Sequence, residues 1–227
     1  VALLLTLIIV ATSGMPLYAK ETGDKANSFR YENGQSIAKA VPFSTLSPNA
    51  WKKIDGKYYS GDGSVIEGAV AKGIDVSHHQ GTVDWKKAKE DGVEFAIIRC
   101  GFGMNQTKQD DAQWFNNVKG CEENNIPYGV YLYSYADTVK KAQSEAEHVL
   151  RLIKGHTLAY PVYYDIEEKA VLNKLTAEQL GKIAATFVNK VKAEGYQTGI
   201  YSNKSNFETF LTDSQFSQWN KWVAQYN

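Results

Sequence analysis

The chain has 227 residues, enough to bury one large core or two small ones. Lysine plus arginine and aspartate plus glutamate each number 25, so no bulk basic field points to nucleic acid as a partner. Its two cysteines, Cys100 and Cys121, are too few for a disulfide framework; on a predicted strand and the next predicted helix they can pair or stay buried as thiols.

Val1–Ala11 is an uncharged apolar run followed by small and polar residues up to Ala19. Residues 1–19 read as the hydrophobic region and cleavage site of a secretory signal peptide whose start is truncated, since Met and a basic flank are missing. The run is short of the ~20 residues that span a bilayer, so the expectation is a secreted or cell-wall-associated protein without membrane attachment after cleavage. Residues 20–72 read as a polar linker. Within it, residues 51–64 suggest one aromatic hairpin, with Asp55-Gly56 and Asp62-Gly63 as turn signals. One copy is not a repeat array, so it reads as a lead into the domain at 73–227.

From residue 73 the pattern becomes regular. Strands are predicted over 73–77, 95–101, 127–134, 161–167, 198–203 and 222–226. Helices are predicted over 83–90, opened by Asp84, and over 110–124, with Trp114, Phe115 and Val118 on the apolar side. Further helices follow over 139–153, from Leu175-Thr176 to Glu194 with Gly195 as C-cap, and over 205–211. Alternation at this spacing implies a parallel sheet with helices outside, in an open doubly wound sheet or a barrel. No Gly-x-Gly-x-x-Gly or Gly-x4-Gly-Lys-Ser/Thr occurs, so nucleotide binding has no support.

Strand parity sorts the side chains. Ile74, Val76, Ala96, Ile98, Val130, Leu132, Val162 and Ile166 form the helix-facing set. The other face collects Asp75, Ser77, Arg99, Tyr131, Tyr133, Tyr163, Asp165, Glu167, Tyr201 and Asn203 near the C-terminal strand ends, where α/β folds carry their sites. The run Tyr160–Glu168 is the most telling, an apolar strand that ends in three carboxylates. Asp165 and Glu167 share a face with Cα atoms about 6.5–7 Å apart, whereas Glu168 points away as a bystander. Carboxylates, a guanidinium and tyrosines suit glycosidic hydrolysis, in which crowding keeps one carboxyl protonated as the acid. Two other readings compete: a divalent metal held by the carboxylates with His78 and His79, and a structural ion network around Arg99. Adjacent histidines on an extended segment point opposite ways, which disfavours the metal.

Gly73-Ile-Asp-Val-Ser-His-His-Gln-Gly81 with Val83-Asp84-Trp85, then FAIIRCGFG, PYGVYLYSYA, PVYYDIE and WVAQY, resembles the glycoside hydrolase family 25 lysozymes over residues 73–227. The resemblance implies a modified TIM-like (β/α)5β3 barrel and hydrolysis of the β-1,4 bond between N-acetylmuramic acid and N-acetylglucosamine in peptidoglycan. By motif, Glu167 matches the proton donor, Asp165 its partner and Asp75 a further active-site carboxylate, with Tyr131 and Tyr133 as sugar contacts. Arg99, Tyr163 and Gln80 join the substrate-binding set by strand face and position. A monomer needing no cofactor and no metal is expected, with peptidoglycan glycan strands as its partner. Either the substrate's N-acetyl group attacks the anomeric carbon while Asp165 orients it, or Asp75 serves as nucleophile or base. Family members continue past Trp-x-Ala-x-Tyr into two more strands, the last with a Val-Asp-x-Asn-like motif. The expectation is therefore that the C-terminal strands are missing and that residues 20–227 alone are unstable or poorly active. A catalytically inactive cell-wall-binding module on the same scaffold is the alternative.

Overall fold

The structure is a computed structural model that describes residues 31–32, 35–36, 52–60 and 63–224. The signal-peptide reading and most of the linker lie outside the described residues. Within 20–50, Tyr31–Glu32 pairs antiparallel with Gln35–Ser36. The hairpin is present: Lys52–Ile54 pairs antiparallel with Lys57–Tyr59. Its turn residues Asp55 and Gly56 both have positive φ (48° and 77°), as the predicted two-residue turn requires. It is tied to the main body through Glu94, whose carboxylate accepts Lys53 Nζ at 2.5 Å and the Tyr58 hydroxyl at 2.6 Å.

Six strands follow: β1 (Gly73–Val76), β2 (Phe95–Phe102), β3 (Tyr128–Tyr133), β4 (Val162–Asp165), β5 (Thr198–Asn203) and β6 (Asn220–Ala224). The helices between them are α1 (Trp85–Glu90), α2 (Trp114–Glu123), α3 (Val139–Ile153), α4 (Lys169–Leu172), α5 (Ala177–Ala193) and α6 (Lys204–Thr209). The strands form one parallel sheet in sequential order, β1 to β6. A doubly wound sheet reverses its order at a switch point and this one does not, so the barrel alternative is the one that fits. The sheet is also curled. Trp222 on β6 lies three strands from Tyr131 on β3, about 14 Å in a flat sheet at the usual strand spacing. Their ring centroids are nevertheless 5.6 Å apart, because both side chains converge on the concave face.

Local chemistry fixes the helix starts. Asp84 accepts the Lys87 N–H to open α1, and Thr138 accepts the Lys141 N–H to open α3. Thr176 and Gln179 form a reciprocal capping box on α5. The second predicted helix begins later than its pattern implied, at Trp114 rather than residue 110. Asp110 and Asp111 are thereby released into the loop, and Phe115, assigned to the apolar side, is 69% exposed. The short helix α4 has no apolar period to announce it and was not anticipated.

Two cores result. The larger lies between sheet and helices and contains the whole predicted helix-facing set. Cys100 and Cys121 belong to it as free thiols, so they do not pair. The smaller core fills the concave face with Phe95, Ile97, Tyr163 and Trp222, flanked by Tyr131, Tyr160 and Tyr201. It can form because Gly199 has no side chain, since a Cβ there would lie 2.6 Å from the Tyr163 ring.

Candidate active site

The strand register stacks the concave face in layers. Arg99 pairs with Tyr131 and Tyr131 with Tyr163, one level below Tyr133, Asp165 and Tyr201. Trp222 is in register with Tyr201. Its ring stands against Tyr163 at 5.4 Å and Tyr201 at 4.3 Å, so an aromatic floor lies beneath the carboxylates. Tyr163 is only 1% exposed and belongs to that floor. Tyr131, in the same layer, and Tyr133, one level higher, are partly exposed.

Asp165 ends β4, 2% exposed. Its Oδ1 has no hydrogen-bond partner among the described residues. Burial pushes its pKa well above the usual carboxylate range, the Glu167 charge adds to this, Arg99 opposes it and Asp75 adds again. Asp75 keeps a little exposure, yet its carboxyl sits deep enough that lost solvation raises its pKa to about 7. Glu167 is partly exposed and lies beyond the strand, since β4 stops two residues earlier. The backbone there is still pinned. The Ile166 N–H donates to the Tyr201 carbonyl at 3.0 Å, and the Ser202 hydroxyl donates to the Ile166 carbonyl at 2.6 Å. The carboxylate-bearing segment is therefore held rigid without being strand.

That early stop overturns the reading of Glu168. Strand parity no longer applies, and the side chain caps α4 by accepting the Ala170 N–H at 3.1 Å. It also accepts the Tyr133 hydroxyl at 3.2 Å. Glu168 is therefore a tether of the tyrosine wall rather than a bystander.

The histidines are corrected as well. Residues 78–80 form a 3-10 turn, not an extended segment, so the two rings lie side by side with centroids 3.7 Å apart. Both face the Arg99 guanidinium, His78 through Nδ1 and His79 through Nε2. Burial and the Arg99 charge push the His79 pKa down to about 3. Arg99 in turn donates from Nε to Asp111 at 2.7 Å, and Asp111 also accepts the His78 N–H at 3.0 Å. The ion network around Arg99 exists, but its carboxylate is Asp111 rather than the three of the cleft. Arg99 thus acts on Asp165 through space, with its own hydrogen bonds directed elsewhere. Among the described residues no group of three or more His, Cys, Asp and Glu is arranged to hold a metal.

Gln80 is partly exposed at the same corner, and its Oε1 accepts from the Ser77 N–H (2.8 Å) and hydroxyl (3.1 Å). Ser77 and Asn203, assigned to the concave set, are both occupied as helix caps.

Residues 74–227 match the family described as glycosyl hydrolases family 25. The chain belongs to this family. A relative is the autolytic lysozyme of Clostridium acetobutylicum, 28% identical over 155 residues, which cover 68% of this chain and 45% of that protein. The modular autolysin LytC of Streptococcus pneumoniae, solved in complex with a synthetic peptidoglycan ligand, is 31% identical with a TM-score of 0.67. That match covers 83% of this chain and 46% of LytC. A family 25 hydrolase from Bacillus anthracis, 19% identical with a TM-score of 0.59, covers 66% of this chain and 68% of its own; at that identity the likeness concerns the fold alone. The chain spans about half the length of the lysozyme and of LytC.

Within this family 25 domain, sequence reasoning missed several residues at the site. Trp222 joins the concave face through its register with Tyr201, a pairing that the strand pattern alone does not give. Phe102 was hidden by a register shift between Arg99 and Gly101. Cys100 is the extra residue, and the shift turns Phe102 onto the concave face. There Arg99 lies 6.0 Å from its ring centroid, and Tyr135 meets it edge-on at 6.3 Å. A bulge of this kind leaves no mark in an alternating pattern.

Proposed function

We propose that this chain contains the catalytic domain of a secreted lysozyme that cleaves the β-1,4 bond between N-acetylmuramic acid and N-acetylglucosamine in peptidoglycan. Residues 73–227 form that domain, preceded by a signal peptide (1–19) and a linker with one hairpin, and it acts as a monomer. The observation that carries the reading is the convergence of Asp75, Asp165 and Glu167 on one concave face, above an aromatic floor and beside a paired arginine. A buried carboxyl with an unpartnered oxygen is costly to keep unless a ligand group completes it.

Glu167, partly exposed just past the end of β4, gives its proton to the glycosidic oxygen as the C–O bond breaks. Asp165 accepts the N–H of the 2-acetamido group, and the acetamido oxygen attacks the anomeric carbon from below. Water then opens the cyclic intermediate, returning a proton to Glu167. Asp75 raises the carboxyl crowding that keeps protons in the cleft, and Tyr131, Tyr133 and Gln80 line the sugar path. Arg99 and Tyr163 contribute from beneath, as charge balance and as floor. Turbidity loss of bacterial cell walls tests this, and Glu167→Gln is expected to lose at least about 100-fold in rate, the scale of a general acid. Wild-type lysis by that variant would reject the role of Glu167. N-deacetylated walls should resist the enzyme, and equal lysis of them would assign the attack to a protein carboxylate instead. Wall binding without any lysis by the wild type would make the domain an inactive binding module.

A further inference from the structure

The inward side of α3 carries side chains that its apolar period would not select. Ala142, Ala146, Val149 and Ile153 pack on the sheet, but Glu145 and His148 share that side and are fully buried. Neither touches the carboxylates of the cleft. Their partners lie instead on two adjacent loops at the C-terminal end of the sheet.

Glu145 holds the loop after β3. Its Oε1 accepts the Tyr135 N–H at 2.9 Å. Its Oε2 accepts the Ser134 hydroxyl at 2.8 Å and the Tyr164 hydroxyl at 2.5 Å. Ser134 also donates its N–H to the Asp165 carbonyl at 2.9 Å, so this loop and the end of β4 are fastened to one carboxylate. His148, one turn on, holds the loop after β2. Its Nδ1 faces the Gly103 carbonyl at 3.0 Å and its Nε2 faces Asp110 Oδ1 at 2.7 Å. Arg151 closes on the same carboxylate (2.5 and 3.1 Å) and on Asn105 (2.8 Å), and Ser144 accepts the Asn105 N–H at 3.1 Å. Gly101 leaves room for this, because a Cβ there would lie 2.7 Å from the His148 ring.

The ends of β2 and β3 and the loops that follow them bear rings that face outward at the cleft. Phe102 and Tyr135 meet edge-on, Tyr133 lies 5.0 Å from Tyr135, and Met104 is exposed beside them. A buried polar cluster is a poor way to gain stability compared with apolar packing, but a good way to fix one geometry. We propose that Glu145 and His148 are positioning residues that set these two loops so that Phe102 and Tyr135 form a platform for pyranose rings beyond the bond being cut. The ligand chemistry is the flat C–H face of a sugar against an aromatic ring. This rests on the peptidoglycan reading above.

The test uses the full chain with Glu145→Gln, Tyr135→Ala and the double variant, assayed on soluble peptidoglycan glycan fragments well below each melting temperature. Glu145→Gln is expected to raise KM about fivefold with kcat within about twofold, and to add nothing in the Tyr135→Ala background. Amide exchange at Tyr135, which needs no activity, should quicken about tenfold in Glu145→Gln. A lower melting temperature with unchanged KM and unchanged exchange would overturn the proposal, as would effects that multiply in the double variant. Should Glu145→Gln fail to fold, Ser134→Ala removes one donor and carries the same expectations. A wild type that neither binds nor cuts the fragments defeats the functional reading and the platform with it. The exchange result then still decides whether Glu145 sets the loop.

Discussion

Two buried carboxylates on opposite sides of one strand behave in opposite ways. Glu145, in the layer between sheet and helices, is fully enclosed and receives three donors, from Ser134, Tyr135 and Tyr164. Asp165, the residue after Tyr164 but on the concave side, is almost as enclosed, yet its Oδ1 has no partner among the described residues. Burial raises the pKa of both, and hydrogen bonds from the Tyr164 hydroxyl, the Tyr135 N–H and Ser134 work against it at Glu145. At Asp165 a second carboxylate, Glu167, pushes the same way as burial. A satisfied buried charge holds a structure together, and an unsatisfied one waits for something. The difference sets a fully partnered carboxylate on the helix side of the sheet against one with an unpartnered oxygen on its concave side.

Removing each carboxylate should therefore move stability in opposite directions. Glu145→Ala strips the acceptor from a buried N–H and two hydroxyls, and is expected to cost about 2–4 kcal/mol in a urea melt. A neutral outcome would mean that the loop repacks without it and would blunt the contrast. Asp165→Asn relieves a buried carboxyl whose Oδ1 has no partner among the described residues, and is expected to stabilise by on the order of 1 kcal/mol, as site-relieving substitutions commonly do. Destabilisation there would mean that Asp165 has a structural partner after all.

A third effect depends on pH. Asp75 binds its proton more tightly folded, with a pKa of about 7, than unfolded, where the ordinary value is 3.8. Its contribution to stability is therefore full below about pH 4 and is lost as pH rises toward 7. Melting temperatures of wild type and Asp75→Asn should diverge across that window, with the variant the more stable above pH 7. Parallel curves would show that Asp75 is not desolvated in the folded protein.

The contrast also explains what the sequence could disclose. Alternation on the strands is enforced by the large core, so the helix-facing set from Ile74 to Ile166 was legible residue by residue. So were the bounds of α3 and β5, where caps and periodicity agree. Asp165 and Glu167 stood out because charge at the end of an apolar strand breaks the pattern, and Asp75 through strand parity and its motif. Legibility failed wherever parity was interrupted. The shift after Arg99 concealed Phe102, the stop at Asp165 reversed the reading of Glu168, and the 3-10 turn at His78 brought together two rings assigned to opposite sides. Asp111 was mistaken for helix, and with it went the true partner of Arg99. Glu145 and His148 were invisible for a different reason, since a buried polar residue at an apolar helix position looks like an exception until its partners are seen.

The central claim is that the unsatisfied side of the sheet is catalytic. Its most direct test is the initial rate of cell-wall lysis by Asp165→Asn, compared with wild type on protein shown to melt cooperatively. A folded variant that has lost about 100-fold or more in rate is expected, because the orienting carboxylate is gone. A folded Asp165→Asn that lyses walls at the wild-type rate would contradict the account.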